Sequence, residues 1–363
     1  MKVALIHDFL VRPGGAERVL KVLADMFPDA PIYTLVYDKK VMGENFPAFR
    51  VRTSRIQKWQ FAGRRLYRYF LTKIPQVVEE WDFSEFDVVI SSSNSFVHGI
   101  VVPTTVMHVC YCHSPMRYAW DYTHEYLEEQ NFGFLKKLLA QMFLKKIRMW
   151  DRLAAERPDF YIANSRHVQK RIQKYYRRDS EVMYPPVDIS KFKPAKKHDD
   201  YFLVLSQLSP YKKVDLAVQL FNKIGRRLVV VGAGPQEAYL RSIAGPNVEI
   251  VGWKSDEAVK MYLENCRALI FPGEEDFGIV PVEAMACGKP VLAYRKGGAM
   301  ETVVEGVTGE FFDESTVDSM EEGLARFFLH ESGYGMTRIR MQSEKFSSEK
   351  FQNDLTSFLQ KMS

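Results

Sequence analysis

The chain has 363 residues, of which 46% are hydrophobic and 26% charged, and its formal net charge at pH 7 is +5. These proportions are typical of a folded globular protein and exclude an intrinsically disordered chain. The length exceeds what one hydrophobic core usually serves, so we expect two domains. No apolar run reaches the roughly 18 residues of a membrane-spanning helix.

The amino terminus, residues 1–8, is typical of a first β-strand. A secretory signal peptide would need a longer apolar stretch and a small-residue cleavage site. We therefore expect a cytoplasmic protein, with peripheral contact to the inner face of the cell membrane as an open alternative.

In the first half of the chain, short β-branched runs alternate with longer helical segments. Predicted strands cover residues 3–7, Ile32–Tyr37, 88–91, 106–111 and Phe160–Ala163. Predicted helices cover a segment that Gly14-Gly15-Ala16-Glu17 opens and that runs to about Met26, residues 134–156, and the segment that follows an Asn164-Ser165 N-cap through Tyr176.

The second half repeats this alternation. Predicted strands cover Phe202–Leu205, 227–231, 248–251, Ala268–Phe271 and 290–294. Predicted helices cover residues 215–225, 281–287 and Ser348–Met362. Such alternation indicates α/β domains with parallel sheets, and the Pro185-Pro186 pair marks the boundary between them. We expect domains at 1–185 and 186–345, and a last helix at about 346–363 that packs on the first domain or, as the alternative, on the second. Ligands of such sheets bind at the carboxyl ends of strands, so we expect the domains to face each other across a cleft.

Charge is unevenly distributed along the chain. Residues 1–185 hold 28 Lys and Arg against 20 Asp and Glu, whereas residues 186–363 hold 22 against 25. The segment 45–78 has no acidic residue, and its eight basic residues are interleaved with aromatic ones. This composition suits an anionic membrane surface, so we predict a peripheral membrane contact through about residues 50–73. A solvated basic face with its aromatic side chains packed inward is the alternative. No nucleic-acid-binding module accompanies the patch, so we do not expect nucleic acid as a partner.

The four cysteines, Cys110, Cys112, Cys266 and Cys287, form no C-x-x-C pair. Neither a zinc site nor a disulfide framework is indicated, and we expect buried thiols. The chain also lacks an Asp-x-Asp triplet, so we predict no metal ion and no cofactor.

The most specific motif is the segment from Glu275 to Glu283, with the sequence EDFGIVPVE. It places two carboxylates around a glycine turn and a helix start. Glycine allows backbone N–H groups to approach a ligand closely, and a helix N-terminus attracts phosphate. We therefore expect a phosphate-containing ligand at this segment.

This motif resembles the hallmark of the retaining glycosyltransferases of family 4, the group 1 glycosyltransferases, which have the GT-B fold of two facing Rossmann-like domains. Other segments resemble that family too: residues 208–215 with the sequence LSPYKKVD, Gly232-Ala233-Gly234-Pro235, Gly297-Gly298-Ala299-Met300-Glu301, Asn164-Ser165 and Pro186-Val187-Asp188. The resemblance covers nearly the whole chain and is most specific in residues 200–305.

The resemblance implies a role for each matching residue. Lys212 would neutralise the donor diphosphate, Glu275 would hold the donor sugar, and Glu283 would bind the ribose hydroxyls. Backbone N–H groups that would reach the sugar and phosphate belong to Phe277, Gly278, Ile279, Val280 and, in the first domain, Gly15. His113 resembles a histidine that contacts the donor sugar in some relatives.

One position departs from the family pattern. Where the family has Gly-Arg before the lysine segment, this chain has Ser206-Gln207. Gln207 keeps a hydrogen-bond donor for the diphosphate but lacks the charge and the bidentate fork of arginine. Neutralisation of the diphosphate therefore depends more on Lys212, or on another basic residue.

The resemblance implies a retaining reaction by front-face substitution, in which the leaving phosphate oxygen takes the acceptor's proton. The segment from His108 to Tyr118, with the sequence HVCYCHSPMRY and followed by Trp120-Asp121, resembles bacterial mannosyltransferases of O-antigen and exopolysaccharide assembly. The implied donor is GDP-mannose, and the implied acceptor is a glycan or a lipid-diphosphate-linked glycan. A nucleotide-sugar epimerase of the same architecture and a catalytically silent membrane-associated scaffold are the alternative functions.

Structural roles are the alternative for each candidate residue. Glu275 and Glu283 would then be surface carboxylates, and Lys212 would form a solvated pair with Lys213. His113 would be a structural histidine, and Gly15 only a turn residue. Asn164 is interpreted as a helix cap.

Overall fold

The computed structural model describes residues 1–60, 73–123, 127, 133–194 and 198–362. The chain divides into two compact units, Met1–Tyr184 and Pro185–Ser363, next to the predicted proline pair. Each unit is built on its own parallel β-sheet, which confirms the predicted α/β class with two parallel sheets.

The sheet of the first unit has seven strands in the order β3-β2-β1-β4-β5-β6-β7. The strands are β1 Val3–Leu10, β2 Ile32–Tyr37, β3 Val51–Thr53, β4 Val88–Ser93, β5 Met107–Cys112, β6 Phe160–Ala163 and β7 Glu181–Val182. The helices are α1 Gly15–Met26, α2 Lys39–Met42, α3 Gln57–Gln60, α4 Ile74–Val78, α5 Phe134–Ala154 and α6 Arg166–Arg171. A π-helical turn, Ile172–Tyr176, continues α6.

The sheet of the second unit has six strands in the order β10-β9-β8-β11-β12-β13. The strands are β8 Phe202–Leu205, β9 Leu228–Val231, β10 Val248–Gly252, β11 Ala268–Phe271, β12 Val291–Tyr294 and β13 Gly309–Phe312. The helices are α7 Val214–Ile224, α8 Glu237–Ile243, α9 Asp256–Asn265, α10 Ile279–Ala286, α11 Ala299–Thr302, α12 Val317–His330, α13 Met336–Glu344 and α14 Ser348–Met362.

The central strands are continuous apolar runs because helices cover both faces of each sheet. Every residue of β2, β9, β11 and β12 is buried. Helix α7 shows the matching helical pattern, since its buried residues Val214, Ala217, Val218 and Phe221 lie on one face. The continuous apolar runs of the strands and the one-sided apolar pattern of the helices are the reason that most elements can be predicted from the sequence.

The strands that the prediction misses have little apolar pattern to detect. β3 is partly exposed along its length, and β7 has only two residues. β13 contains Glu310, a charged residue that is nevertheless buried. Its carboxylate lies 2.8 Å from His330 Nδ1 and accepts a hydrogen bond of 2.9 Å from the Tyr334 hydroxyl, which compensates for its removal from water.

The start of the second unit pairs with the segment before its last helix. The Val187 N–H donates to the Phe346 carbonyl at 2.9 Å, and the Ser348 N–H donates to the Val187 carbonyl at 3.1 Å. Helix α14 is grouped with the second unit. The predicted packing of this helix on the first domain stays a prediction, as does the predicted cleft.

All four cysteines are buried thiols, as predicted. Burial raises the pKa of Cys110 and that of Cys266 to about 12, so both thiols stay protonated and unreactive at neutral pH.

Candidate functional site

Three neighbouring strands of the second unit bring their loops to one edge of the sheet. β8, β11 and β12 are adjacent and parallel, so the segments that follow them leave the sheet at the same end. These segments carry the three motifs that the sequence analysis singled out: residues 206–213, 272–278 and 295–298.

Lys212 is positioned by a tight turn between β8 and α7. Pro210–Lys212 forms one 3₁₀ turn, and Lys213 then adopts a left-handed conformation with φ of 53° before α7 begins. Gly273, just after β11, packs against the Lys212 backbone so closely that a Cβ atom there would lie 2.8 Å from the Lys212 Cα. The loop after β11 therefore reaches Lys212 because residue 273 has no side chain.

The side chains of Lys212 and Glu275 form an ion pair. The exposed fractions of these side chains are 13% and 24%, so the pair is partly shielded from water. The Lys212 ammonium also lies 5.1 Å from the centre of the Tyr211 ring, within range of a cation–π interaction. The structure thus brings together two of the three predicted catalytic residues.

Two more glycines hold the Glu275 segment in place. The Gly298 N–H donates a hydrogen bond of 2.9 Å to the Glu275 carbonyl oxygen. A Cβ atom on Gly298 would lie 2.3 Å from the Cα and carbonyl oxygen of Phe277. Gly297 has a φ of 63°, and a Cβ atom there would lie 2.2 Å from the Glu275 carbonyl oxygen. The loop after β12 therefore makes backbone contact with the loop after β11.

The predicted helix start follows directly after the Glu275 segment. Gly278 has a φ of 84° and precedes α10, so the N–H groups of Ile279 and Val280 belong to the open first turn of that helix. Phe277 is buried, and its ring packs against Phe346 with ring centres 5.5 Å apart. Glu283 lies inside α10 and is only 5% exposed. A carboxylate this deeply buried needs polar partners, whereas a carboxylate at the surface is solvated by water.

Gln207 lies at the end of β8 and is exposed. The neighbouring Gly232-Ala233-Gly234 turn holds its segment, since the Leu208 N–H donates to the Ala233 carbonyl at 3.0 Å. A Cβ atom on Gly234 would lie 2.3 Å from the Leu208 carbonyl oxygen. The backbone around Gln207 is therefore as tightly constrained as that around Lys212.

The remaining candidates lie in the first unit. Gly15 is the first residue of α1, and Gly14 before it has an extended backbone. His113 follows β5, and its Nε2 lies 2.8 Å from the Ser92 hydroxyl. The surrounding protein removes the ring from water and thereby lowers the pKa of His113 to about 3, so the imidazole is neutral at physiological pH. Asn164 donates from Nδ2 to the His113 carbonyl at 2.9 Å. The interpretation of Asn164 as the helix cap is wrong, because the cap is Ser165, whose hydroxyl accepts a hydrogen bond of 3.0 Å from the Val168 N–H.

Sequence reasoning missed two buried carboxylates in the first unit. Asp8, at the end of β1, accepts hydrogen bonds of 2.7–3.1 Å from four consecutive backbone N–H groups, residues 94–97. Asp151 on α5 accepts from Trp120 Nε1 at 2.7 Å and from the Tyr176 hydroxyl at 3.1 Å. His98 Nε2 lies 3.3 Å from the same carboxylate. The only sequence signal was the presence of polar residues in the second half of a strand, such as His7-Asp8 in β1 and Ser91-Ser92-Ser93 in β4.

Two family models match the chain in succession. The model for Glycosyltransferase Family 4 matches residues 13–191, and the model for Glycosyl transferases group 1 matches residues 187–344. Together they span residues 13–344. The chain belongs to the group 1 glycosyltransferases.

Curated relatives of this glycosyltransferase chain are distant. It is 25% identical over 279 residues to the alpha-1,3/1,6-mannosyltransferase ALG2 of Dictyostelium discoideum, a match that covers 62% of the chain and 66% of the relative. It is 32% identical over 170 residues to a GDP-mannose-dependent alpha-(1-6)-phosphatidylinositol monomannoside mannosyltransferase of Mycolicibacterium smegmatis, which covers 39% of the chain and 44% of the relative. An uncharacterized glycosyltransferase of Methanocaldococcus jannaschii, MJ1178, is 25% identical over 191 residues, which covers 51% of the chain and 54% of the relative. The matches therefore span about half to two thirds of these relatives.

Solved structures share the fold over almost the entire chain. Anabaena HepE (Alr3699) in complex with UDP has a TM-score of 0.72 at 18% identity, with 99% of this chain and 100% of that chain covered. Sucrose-phosphate synthase of Thermosynechococcus elongatus has a TM-score of 0.70 at 16% identity, with 99% of both chains covered. At these identities the likeness concerns the fold alone.

Among the described residues, no helix is long and apolar enough to cross a bilayer. Among the same residues, no group of three or more His, Cys, Asp or Glu side chains is arranged to hold a metal ion.

The glycine contacts predict that Gly298→Ala destabilises the second unit. The new methyl group would overlap the Phe277 backbone, which cannot move aside like a flexible side chain. We expect the free energy of unfolding, measured by urea titration, to fall by about 1–3 kcal/mol. Gly333→Ala is the control, because its Cβ atom would have no neighbour within 4 Å and should change stability by less than about 0.5 kcal/mol. Equal stability of the two variants would contradict the close loop contact.

Proposed function

We propose that this chain is a retaining, metal-independent glycosyltransferase that transfers mannose from GDP-mannose to a glycan or a lipid-linked glycan. The observation that carries the proposal is the Lys212–Glu275 ion pair. It joins loops from two adjacent strands beside the start of α10, in a chain that belongs to the group 1 glycosyltransferases. An ammonium beside open helix N–H groups suits a diphosphate, because both stabilise negative charge.

In the proposed site, donor binding exchanges the partner of Lys212. A nucleotide diphosphate carries more negative charge than Glu275, so it competes with that carboxylate for the ammonium. Glu275, once released, can accept hydrogen bonds from hydroxyl groups of the sugar. The diphosphate also meets the N–H groups of Phe277, Gly278, Ile279 and Val280, and Glu283 accepts hydrogen bonds from the ribose hydroxyls. Gln207 adds an uncharged hydrogen bond to the diphosphate.

The proposed reaction is a front-face substitution. The bond between the anomeric carbon and the phosphate oxygen breaks while the acceptor hydroxyl oxygen bonds to the same face of that carbon. The acceptor's proton passes to the leaving phosphate oxygen, so no separate base is required. Lys212 stabilises the charge that develops on the diphosphate, which is the kind of electrostatic effect that usually dominates catalysis.

The first unit supplies the other proposed contacts to the donor. The N–H of Gly15, at the start of the 12-residue helix α1, binds the diphosphate. His113 contacts the sugar as a neutral hydrogen-bond partner, which agrees with the desolvation that lowers its pKa to about 3.

The names of two relatives support mannose as the transferred sugar. ALG2 of Dictyostelium discoideum is a mannosyltransferase by name, and the M. smegmatis relative is named as GDP-mannose-dependent. Both are distant in sequence, so the donor has to be tested directly.

A peripheral membrane contact is part of the proposal, because a lipid-linked acceptor lies at a membrane surface. Half of the basic aromatic segment predicted for this contact, residues 61–72 of about 50–73, lies outside the described residues. A described surface of similar chemistry is the outer face of α5, formed by Leu138, Leu139, Met142, Met149 and Leu153, whose exposed fractions are 45–70%. The opposite face of α5 is buried through Leu144, Ile147 and Asp151.

The charges of α5 favour an anionic partner for this face. The helix carries six Lys or Arg residues, four of which, Lys136, Lys137, Lys145 and Lys146, are exposed. Its one carboxylate, Asp151, is buried. Exposed apolar side chains flanked by cations match the chemistry of an anionic headgroup region.

A panel of nucleotide-sugars tests the donor. We expect turnover with GDP-mannose and an acceptor to exceed turnover with UDP-glucose, UDP-galactose and UDP-N-acetylglucosamine, and GDP-mannose to raise the melting temperature by mass action. The anomeric configuration of the product, measured by NMR, should match that of the donor. A preference for a UDP-sugar would refute mannose transfer, and an isomerised sugar without acceptor would favour the epimerase.

Charge removal at Lys212 tests the site. We expect Lys212→Ala to lower kcat by about 10²–10³-fold, because the developing charge on the diphosphate loses its cation. The control is Lys213→Asn, which removes a neighbouring exposed lysine while keeping a residue that tolerates the left-handed conformation. If Lys212→Ala and Glu275→Ala both leave sugar transfer in cell extracts unchanged, the scaffold function is favoured instead.

Vesicle binding tests the outer face of α5. We expect the protein to sediment with phosphatidylglycerol vesicles more than with phosphatidylcholine vesicles, and less at high salt. The double variant Met142→Glu/Met149→Glu should weaken this binding roughly tenfold or more, because two apolar contacts become anionic. Met261→Glu, an equally exposed methionine on α9, should bind like the wild type. Equal binding by all variants would refute this surface.

A further inference from the structure

Three polar side chains meet at the carboxyl ends of adjacent strands in the first unit. His7 belongs to β1, Ser92 to β4, and His113 follows β5. His7 Nδ1 lies 2.9 Å from the Ser92 carbonyl oxygen and 3.1 Å from the Ser92 hydroxyl. The same hydroxyl lies 2.8 Å from His113 Nε2. The two imidazole rings are therefore connected through one serine.

The direction of the first hydrogen bond follows from its acceptor. A backbone carbonyl oxygen can only accept, so His7 Nδ1 must carry a proton. That proton also points toward the Ser92 hydroxyl oxygen, which then acts as an acceptor. The Ser92 hydroxyl cannot donate its own proton to His7 Nδ1, because that nitrogen is already protonated.

Among the described residues, the Ser92 hydroxyl proton has one acceptor within reach. Ser92 is fully buried, and a buried hydroxyl that does not donate loses a hydrogen bond that it had in water. His113 Nε2, at 2.8 Å, accepts this proton only if it carries none itself. A neutral His113 then has its proton on Nδ1.

We propose that Ser92 and His7 are positioning residues that hold His113 as the neutral tautomer with its proton on Nδ1. In this state His113 presents a hydrogen-bond donor, and it can act neither as a base through Nε2 nor as a cation. The ligand group that fits such a donor is an uncharged oxygen, such as a hydroxyl oxygen of the transferred sugar. This inference rests on the proposed function only for the identity of that ligand.

One further hydrogen bond supports the arrangement, and a longer contact lies behind His7. Asn164 holds the His113 backbone through its carbonyl oxygen, at 2.9 Å. Behind His7, its buried Nε2 has no hydrogen-bond partner among the described residues and lies 3.6 Å from Glu17 Oε1. A Cβ atom on Gly14 would lie 2.7 Å from Glu17 Oε2, so the glycine leaves room for this carboxylate. The chain of contacts thus runs from the first turn of α1 to His113.

Nitrogen NMR of protein with ¹⁵N-labelled histidine tests the tautomer directly. We expect the His113 resonances, assigned with His113→Gln, to show a protonated Nδ1 and an unprotonated Nε2. Ser92→Ala should convert this pattern into a mixture of tautomers, and Ser92→Thr, which keeps the hydroxyl, should retain it. The matched control is Ser91→Ala, whose hydroxyl lies 2.9 Å from His108 Nε2; it should change the His108 resonances and leave those of His113 unaltered.

A protonated Nε2 in the wild-type protein would overturn the proposal, even if Ser92→Ala failed to fold. So would a His113 pattern that is unchanged in Ser92→Ala, or one that changes equally in Ser91→Ala.

A kinetic comparison separates this proposal from the proposed function. With an active donor and acceptor, Ser92→Ala should lower kcat/KM about tenfold, and Ser92→Thr should restore most of it. Wild-type activity in Ser92→Ala, together with an altered tautomer, would overturn the positioning role. If the wild type transfers no sugar while the NMR pattern is as expected, the proposed function fails and the tautomer assignment stands.

Discussion

Backbone-to-backbone contact between loops is the constraint on which the second unit depends. The loops after β8, β11 and β12 approach each other within distances that no Cβ atom would allow, through Gly273, Gly297 and Gly298. Because these contacts join main chains, they place Lys212 and Glu275 with little freedom to separate. A parallel sheet brings strand ends to one edge. The absence of side chains at the three glycines then lets the loops at that edge pack closely enough to fix the positions of the site residues.

The charge balance around the Lys212–Glu275 pair is the second constraint on the site. Lys212 is paired with Glu275 within the protein, so an anion that binds Lys212 must displace that carboxylate. Gln207 offers no second cation where the family pattern has arginine. If the proposed function is correct, the affinity for a diphosphate therefore depends on the competition for Lys212 and on the open N–H groups of α10, which carry only a partial charge.

Much of this site could be predicted from the sequence because its signals are local. The Glu275–Glu283 segment contains its own turn, helix start and carboxylates, and the glycines and Lys212 lie in short motifs beside strands with clear apolar patterns. The polar network of the first unit could not be predicted in the same way. His7 and Ser92 are 85 residues apart, and Asp8 meets backbone N–H groups 86–89 residues away. Such pairs depend on strand order, which local patterns do not reveal. Glu310 shows a similar limit, since its burial in β13 requires partners 20 and 24 residues further along the chain.

The two units would recognise a donor by different physical means under the proposed function. An ammonium attracts a diphosphate over several ångströms and with little directional preference, so Lys212 suits neutralisation of a leaving group. A neutral imidazole exerts no such attraction, and its single N–H is directional. A charged His113 would itself attract a diphosphate, whereas desolvation lowers its pKa to about 3 and keeps the ring neutral. Under the proposed function, the charged Lys212 would stabilise the diphosphate, and the neutral His113 would orient the sugar.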